Sequence, residues 1–206
     1  MTRYLPGILG MATIVVASNI LVQFFVGDWL TWGAFTYPFA FLVTDLMNRI
    51  HGPAAARKIV FVGFVVGVTC SAIGTQIAGE FGPLVTWRVA LGSGAAFLVA
   101  QLVDVAVFDR LRQGNWWRAP LASTLVGSTL DTALFFFIAF SAAAAGVLGA
   151  DGNTDFFNEV VPTPFGIDLT RWVGTAMVDW CVKVAIALIA LVPFRLIVGR
   201  IRGAAA

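Results

Sequence analysis

"VGSTLDTALFFFIAF" (126–140) sets one aspartate, Asp131, in a run that is otherwise apolar or small. A carboxylate at the centre of a bilayer costs roughly 3 kcal/mol or more. A chain keeps such an acid only where protein or enclosed water surrounds it. The stretch therefore reads as a membrane-spanning helix with one face turned into a bundle. The whole chain agrees: its 206 residues are 59% hydrophobic and 12% charged, with a mean hydropathy of +0.90. Soluble domains have about 45–50% apolar and about 25% charged residues. The expected fold class is all-α: a polytopic membrane protein with six transmembrane helices in a single transmembrane domain covering 1–206.

Spans are expected at about 4–25, 33–49, 58–78, 87–108, 120–148 and 171–198. Roughly 20 residues cross a bilayer, and the second span is short. Arg3 followed by an apolar run looks superficially like a signal peptide. The run continues to Phe25 with no small-residue cleavage site, so it is taken as the first span. Basic residues then alternate by side. Arg3, then Arg49, Arg57 and Lys58, then Arg110, Arg112 and Arg118, then Arg195, Arg200 and Arg202 fall on one side. The other side keeps Arg88 and Arg171, with Lys183 inside a span. The positive-inside rule puts both termini in the cytoplasm. The outer side collects Asp28, Glu80, Asp151, Asp155, Glu159 and Asp168. Trp29, Trp32, Trp87, Trp116, Trp117 and Trp172 mark span ends, as an aromatic belt does.

Several function classes drop out. A formal net charge of +2 is too small to suggest a nucleic-acid partner. Cys70 and Cys181 sit in apolar segments without metal-ligand spacing. There is no Gly-rich phosphate loop, Cys/His cluster or nucleophile elbow, and His51 is the only histidine. No catalytic centre, metal or cofactor is expected. "GSGAA" (92–96), Gly63 and Gly67 read as close helix packing. No convincing internal repeat is present.

What remains is a polar set inside the spans: Asp45, Asp104, Asp131 and Asp179, with Lys183, Asn19, Gln23, Asn48, Gln101, Thr124 and Ser128. Asn19/Gln23 and Asp179/Lys183 are spaced i,i+4, and Gln101/Asp104 i,i+3. Thr124, Ser128 and Asp131 follow i, i+4, i+7, so each set shares one helix face. At 1.5 Å per residue, Asp131 lies about 16 Å into its span, with Asp179 and Lys183 about 12 and 18 Å into theirs. Asp45 and Asp104 lie nearer the cytoplasm. Structural readings stand beside this: Asp179–Lys183 as an intrahelical ion pair, Asn19 and Gln23 as interhelical glue, and Asp45 and Asp104 paired with arginines at the rim. Asp131 has no basic residue within two turns on its own helix, so its partner must come from another helix. A buried carboxylate can take two parallel N–H donors from a planar heterocycle such as guanine; ion or proton transport uses the same acids.

A resemblance narrows this. "TWGAFTYPFAFLVTDLMNRIHGPAAARKIVF" (31–61), "ASNILVQ" (17–23), "AQLVDVAVFDRL" (100–111), "NWWRAPLASTLVGSTLDTALFFFIAF" (115–140) and "VDWCVKVAIALIALVPF" (178–194) together resemble the bacterial queuosine-precursor transporters. These are the VUT family of small six-span proteins, and the chain is most similar to their proteobacterial branch. The resemblance implies uptake of 7-cyano-7-deazaguanine and 7-aminomethyl-7-deazaguanine across the cell inner membrane, for queuosine modification of tRNA. It carries over to Asn19, Gln23, Asp45, Gln101, Asp104, Ser123, Asp131, Asp179 and Lys183 as substrate-binding candidates. Beside it, Arg49, Arg57 and Arg118 are expected in gating or structural pairs with Asp45 and Asp104. Many relatives have an acid near position 49; here it is Arg49, so no recognition role is carried to that position.

The implied partners are the small 7-deazaguanine solute and the bilayer, with a homodimer left open. Coupling to a proton gradient and facilitated diffusion both fit. Two other readings stand: a substrate-binding subunit for another vitamin-like solute, energised by a separate module, and an intramembrane enzyme. The enzyme lacks an acid pair within one helix turn.

Overall fold

The computed structural model describes residues 2–79 and 82–203. Glu80, one of the acids expected outside, lies outside the described residues, as does the side chain of Arg202. The described chain is mostly helical. Helix α1 spans Leu5–Leu21, and a hairpin of β1 (Phe25–Val26) and β2 (Leu30–Thr31) follows. Helices α2 (Trp32–Thr36) and α3 (Phe39–His51) come next, then α4 (Pro53–Gly74). A second hairpin pairs β3 (Ala78–Gly79) with β4 (Gly82–Pro83). Helices α5 (Trp87–Leu111) and α6 (Arg118–Phe140) form the most extensive helix pair. Short helices α7 (Ala142–Leu148) and α8 (Thr154–Asn158) precede a hairpin of β5 (Val160–Pro162) and β6 (Asp168–Thr170). Helix α9, Arg171–Gly203, closes the described chain. The helices carry the fold, as the all-α expectation has it, and three small antiparallel hairpins join them.

Helices α4, α5, α6 and the Arg171–Ile201 part of α9 are long and apolar enough to cross a membrane; α1 is a shorter apolar helix. Four element boundaries differ from the expected spans, each for a local reason. Gln23 falls beyond the end of α1, in the turn before β1. The second segment is broken between α2 and α3 at Tyr37 and Pro38, because Pro38 has no N–H to give the preceding turn. Helix α4 begins at Pro53 rather than Lys58: Gly52 takes a positive φ of 85° that ends α3, and Pro53 is suited to the first helical turn. The fifth segment stops at Phe140. Ser141 turns extended and its Oγ accepts from the Ala144 N–H at 3.1 Å, starting α7 as an N-cap.

Cross-contacts gather the basic segments at one end. Tyr4 meets His51 edge to face. Arg49 donates to the Arg112 carbonyl at 2.6 Å, and Arg112 donates to the Asn48 carbonyl at 3.3 Å. Arg195 lies over the Trp116 ring. The hairpins occupy the opposite helix ends. There Arg88 is fully buried, not a solvated outer cation as the charge pattern suggests. Its guanidinium donates to the Ile138 and Ser141 carbonyls at 3.1 and 2.7 Å and to Thr154 Oγ1 at 3.0 Å. Carbonyls at a helix C-terminus carry partial negative charge, so Arg88 ties α5 to the end of α6.

Small residues let the helices approach. A β-carbon at Gly92 would sit 3.3 Å from the Phe135 carbonyl oxygen on α6, and one at Gly63 2.7 Å from Phe97. The apolar core joins Met11 and Val15 of α1, Ala40 and Met47 of α3, Ile59 and Val60 of α4, and Phe97 and Val105 of α5.

Candidate functional site

Helix α6 carries the site. Its apolar face, Val126, Phe137 and neighbours, is exposed, as a lipid-facing surface would be. Ser123, Thr124, Gly127, Ser128, Asp131 and Thr132 fall on the opposite, buried face. Asp179 and Lys183 stand one turn apart on α9 and meet that face.

Lys183 is 3% exposed and uses all three ammonium donors. Its Nζ lies 2.8 Å from Asp131 Oδ2, 2.6 Å from Asp179 Oδ2 and 2.9 Å from Thr132 Oγ1. The Thr132 hydroxyl donates on to Asp179 Oδ2 at 3.0 Å. Tyr37, at the break between α2 and α3, donates from its hydroxyl to Asp131 Oδ1 at 2.8 Å. Its ring lies 5.5 Å from the ammonium. Behind it, Thr36 and Ser18 share a hydroxyl hydrogen bond of 2.9 Å, linking α2 to α1. Asp131 thus finds its partner on another helix, and Asp179–Lys183 is an ion pair within α9. Two carboxylates share one ammonium, so one negative charge is in excess when all three groups are ionised. The Asp179 side chain is the more accessible acid, 12% against 5% for Asp131.

A family model described as "Putative vitamin uptake transporter" matches residues 31–198, which include Tyr37, Asp131, Thr132, Asp179 and Lys183. The chain belongs to the vitamin uptake transporter family. Curated relatives agree. A "Queuosine precursor transporter" of Escherichia coli (strain K12) is 36% identical over 194 residues, 87% of this chain and 79% of the relative. A "Probable queuosine precursor transporter" of Haemophilus influenzae is 38% identical over 175 residues, 79% of this chain and 66% of the relative. One of Bacillus subtilis (strain 168) is 30% identical over 183 residues, 78% of this chain and 77% of the relative. No solved structure matches the chain.

The other candidate residues of this vitamin uptake transporter family member fall into two groups. Asp45 and Asp104 form a second acidic locus, about 10 Å along α6 from Asp131, since Thr124 and Asp131 are seven residues apart. Asp45 accepts from Ser123 Oγ at 3.1 Å and Thr124 Oγ1 at 3.2 Å. Gln101 accepts from the Thr44 hydroxyl, and Asn48 donates to the Val105 carbonyl at 3.1 Å. A narrow cavity of about 10 Å³, room for about one water, lies against Asp45, Thr124, Pro38 and Leu191.

Asn19 points elsewhere: its amide donates back to the Val15 carbonyl at 2.9 Å, and its oxygen faces Ser71 of α4 at 3.5 Å. Gln23 is half-buried in the turn after α1. Arg57 and Arg118 are exposed and form no ion pair among the described residues, so the gating pairs expected of them with Asp45 or Asp104 are absent from this form. Arg49 contacts the Arg112 carbonyl and lies over the Phe108 ring.

Tyr37 and Thr132 were missed by the sequence reading. The available signal for Tyr37 was a phenol directly before a proline within an apolar segment, where a broken helix aims a polar tip inward. Thr132 lies beside Asp131 but reads as an ordinary helix residue until α9 is placed.

Proposed function

We propose that this protein imports 7-deazaguanine queuosine precursors across the cell inner membrane as a six-span transporter without catalytic activity. The spans are α1, the broken α2–α3 segment, α4, α5, α6 and α9. Both termini face the cytoplasm, an orientation supported by the gathering of the basic segments at one end. The substrate class rests on membership of the family and on the names of its relatives.

The observation that carries the site is the sharing of Lys183 between Asp131 and Asp179. In the substrate-bound form, Asp179 accepts the two parallel N–H groups of the guanine-like edge, and Lys183, kept by Asp131, donates to the ring carbonyl. This exchanges one charge-assisted pair for another, so the acid is never left bare in a low-dielectric interior. The base needs more room than this closed form provides at the neighbouring cavity, so loading requires α9 to move relative to α6. The helix break at Pro38 and Pro193 within α9 are the places where that movement is least costly.

The test is uptake of labelled precursor by cells unable to synthesise it. Asp179→Asn and Asp131→Asn at normal membrane levels are expected to lose uptake. Normal uptake by both variants would refute the site.

A further inference from the structure

The second acidic locus has a feature that substrate recognition does not use. Asp45 and Asp104 are buried to 2% and 0% exposure. They flank a single turn of α6: Asp45 accepts from Ser123 and Thr124, and the Asp104 β-carbon lies 3.3 Å from where a β-carbon on Gly127 would be. Both side chains therefore stand against the same turn of α6. Yet neither Asp104 oxygen has a well-formed hydrogen bond among the described residues; the neighbouring Ser123 hydroxyl is directed to Asp45 and the Pro120 carbonyl. The same seam between α3, α5 and α6 holds other buried polar atoms without partners: Asn48 Oδ1, Gln101 Nε2 and Ser128 Oγ.

Among the described residues, no ion pair joins Asp45 or Asp104 to a cation. Helix α6 turns hydroxyls to the pair, and its arginine, Arg118, is exposed and forms no ion pair among the described residues. Helix α9 contributes Ala187, Ala190, Leu191 and Phe194 beside Asp45. Helices α1 and α4 cover α3 with Met11, Val15, Ala56, Ile59 and Val60, while Arg57 and Lys58 are exposed. Arg49, one turn along α3, is directed to the Arg112 carbonyl and the Phe108 ring. Lys183 is committed to Asp131 and Asp179. Two adjacent buried carboxylates cannot both be ionised without a counter-charge; one proton held between them removes the repulsion and supplies Asp104 with its missing hydrogen bond.

We propose that Asp45 and Asp104 form a proton-binding pair, separate from the Lys183 cluster, that couples solute movement to proton entry. One proton from the outer water binds the pair and is released to the cytoplasmic water when α3 and α5 part from α6; no bond other than O–H is made or broken. The inference rests on the transport reading for its coupling half only.

Two measurements test it. Infrared difference spectra of the purified protein, taken across a pH titration, are expected to show the carbonyl stretch of one protonated carboxyl, lost in both Asp45→Asn and Asp104→Asn. A spectrum without that band, or a band that persists in both variants, overturns the proton site. In proteoliposomes, an acid-outside gradient is expected to drive precursor accumulation by the wild type. Asp104→Asn, whose amide mimics the protonated acid, is expected to lower the ratio of accumulation with the gradient to accumulation without it by at least tenfold. Accumulation by Asp104→Asn equal to wild type overturns the coupling. A wild type that shows the infrared band but moves no precursor overturns the transport reading, and the coupling with it.

Discussion

The Tyr37 hydroxyl donates 2.8 Å to Asp131 Oδ1, joining residues 94 positions apart. Through this bond the helix break at Pro38 reaches the central ion cluster. Movement of the α2–α3 segment and the charge distribution around Lys183 are therefore physically linked. Tyr37→Phe removes the donor and keeps the ring over the ammonium. A hydrogen bond to a charged group contributes about 1.5–3 kcal/mol, so the variant should fold with a lower unfolding midpoint in detergent and show reduced precursor uptake. Wild-type values for both would mean that the phenol is incidental.

Lys183 compensates two buried acids. Lys183→Met leaves both without a cation, a loss of about 3–5 kcal/mol for breaking a buried pair. Little folded protein should reach the membrane. Adding Asp131→Asn and Asp179→Asn to that change should restore folded yield without restoring uptake, because groups in one network are strongly non-additive. Equal yields for the single and triple variants would contradict this energetic account.

Arg88 is fully buried and donates to Ile138 of α6, to Ser141 just beyond it and to Thr154 of α8. Arg88→Met exposes the Ile138 and Ser141 carbonyls to a site with no donor, at about 1–3 kcal/mol for each group left unsatisfied. Limited proteolysis should then cut the 141–158 region faster, while a Lys183-dependent property such as substrate affinity changes less.

Gly127 lets α6 lie against α3 and α5. A β-carbon there would stand 2.6 Å from Phe41 Cε1, a contact relieved only by shifting a buried ring. Gly127→Val should cost about 1–3 kcal/mol by overpacking, and Gly127→Ala less. Thermal unfolding of the purified variants orders them; a Val variant as stable as wild type would show that the seam has slack.

Orientation can be read with thiol reagents in a background lacking Cys70 and Cys181. A cysteine at Gly114, in the basic turn between α5 and α6, should react with a membrane-impermeant maleimide only after permeabilisation. One at Gly152, in the segment between α7 and α8, should react in intact cells. The reverse pattern would invert the topology.

Much of the fold was legible in the sequence because the bilayer is an unforgiving solvent. Long apolar runs have few alternatives to helix, and arginines at one set of helix ends mark one side. The same logic singled out Asp45, Asp104, Asp131, Asp179 and Lys183, since ionisable groups within such runs must turn inward. Local chemistry was legible in principle, and the expected bounds missed it: Gly52–Pro53, Pro38 and the Ser141 cap moved helix ends by several residues.

Partner choice was not legible. Spacing along one helix says which residues share a face, not which helix that face meets. The i,i+4 pattern paired Asp179 with Lys183, yet only the packing of α9 on α6 brought Asp131 and Thr132 to the same ammonium. The sequence grouped Asn19 with the acids in one polar set, and the rotation of α1 turned it to α4. Arg88 looked like a surface charge until the end of α6 closed over it. The sequence by itself determined that these polar groups leave the lipid, because hydrocarbon cannot solvate them; tertiary structure alone decided how they divide into a lysine-centred cluster and a separate acid pair, because that depends on how each helix is rotated against its neighbours.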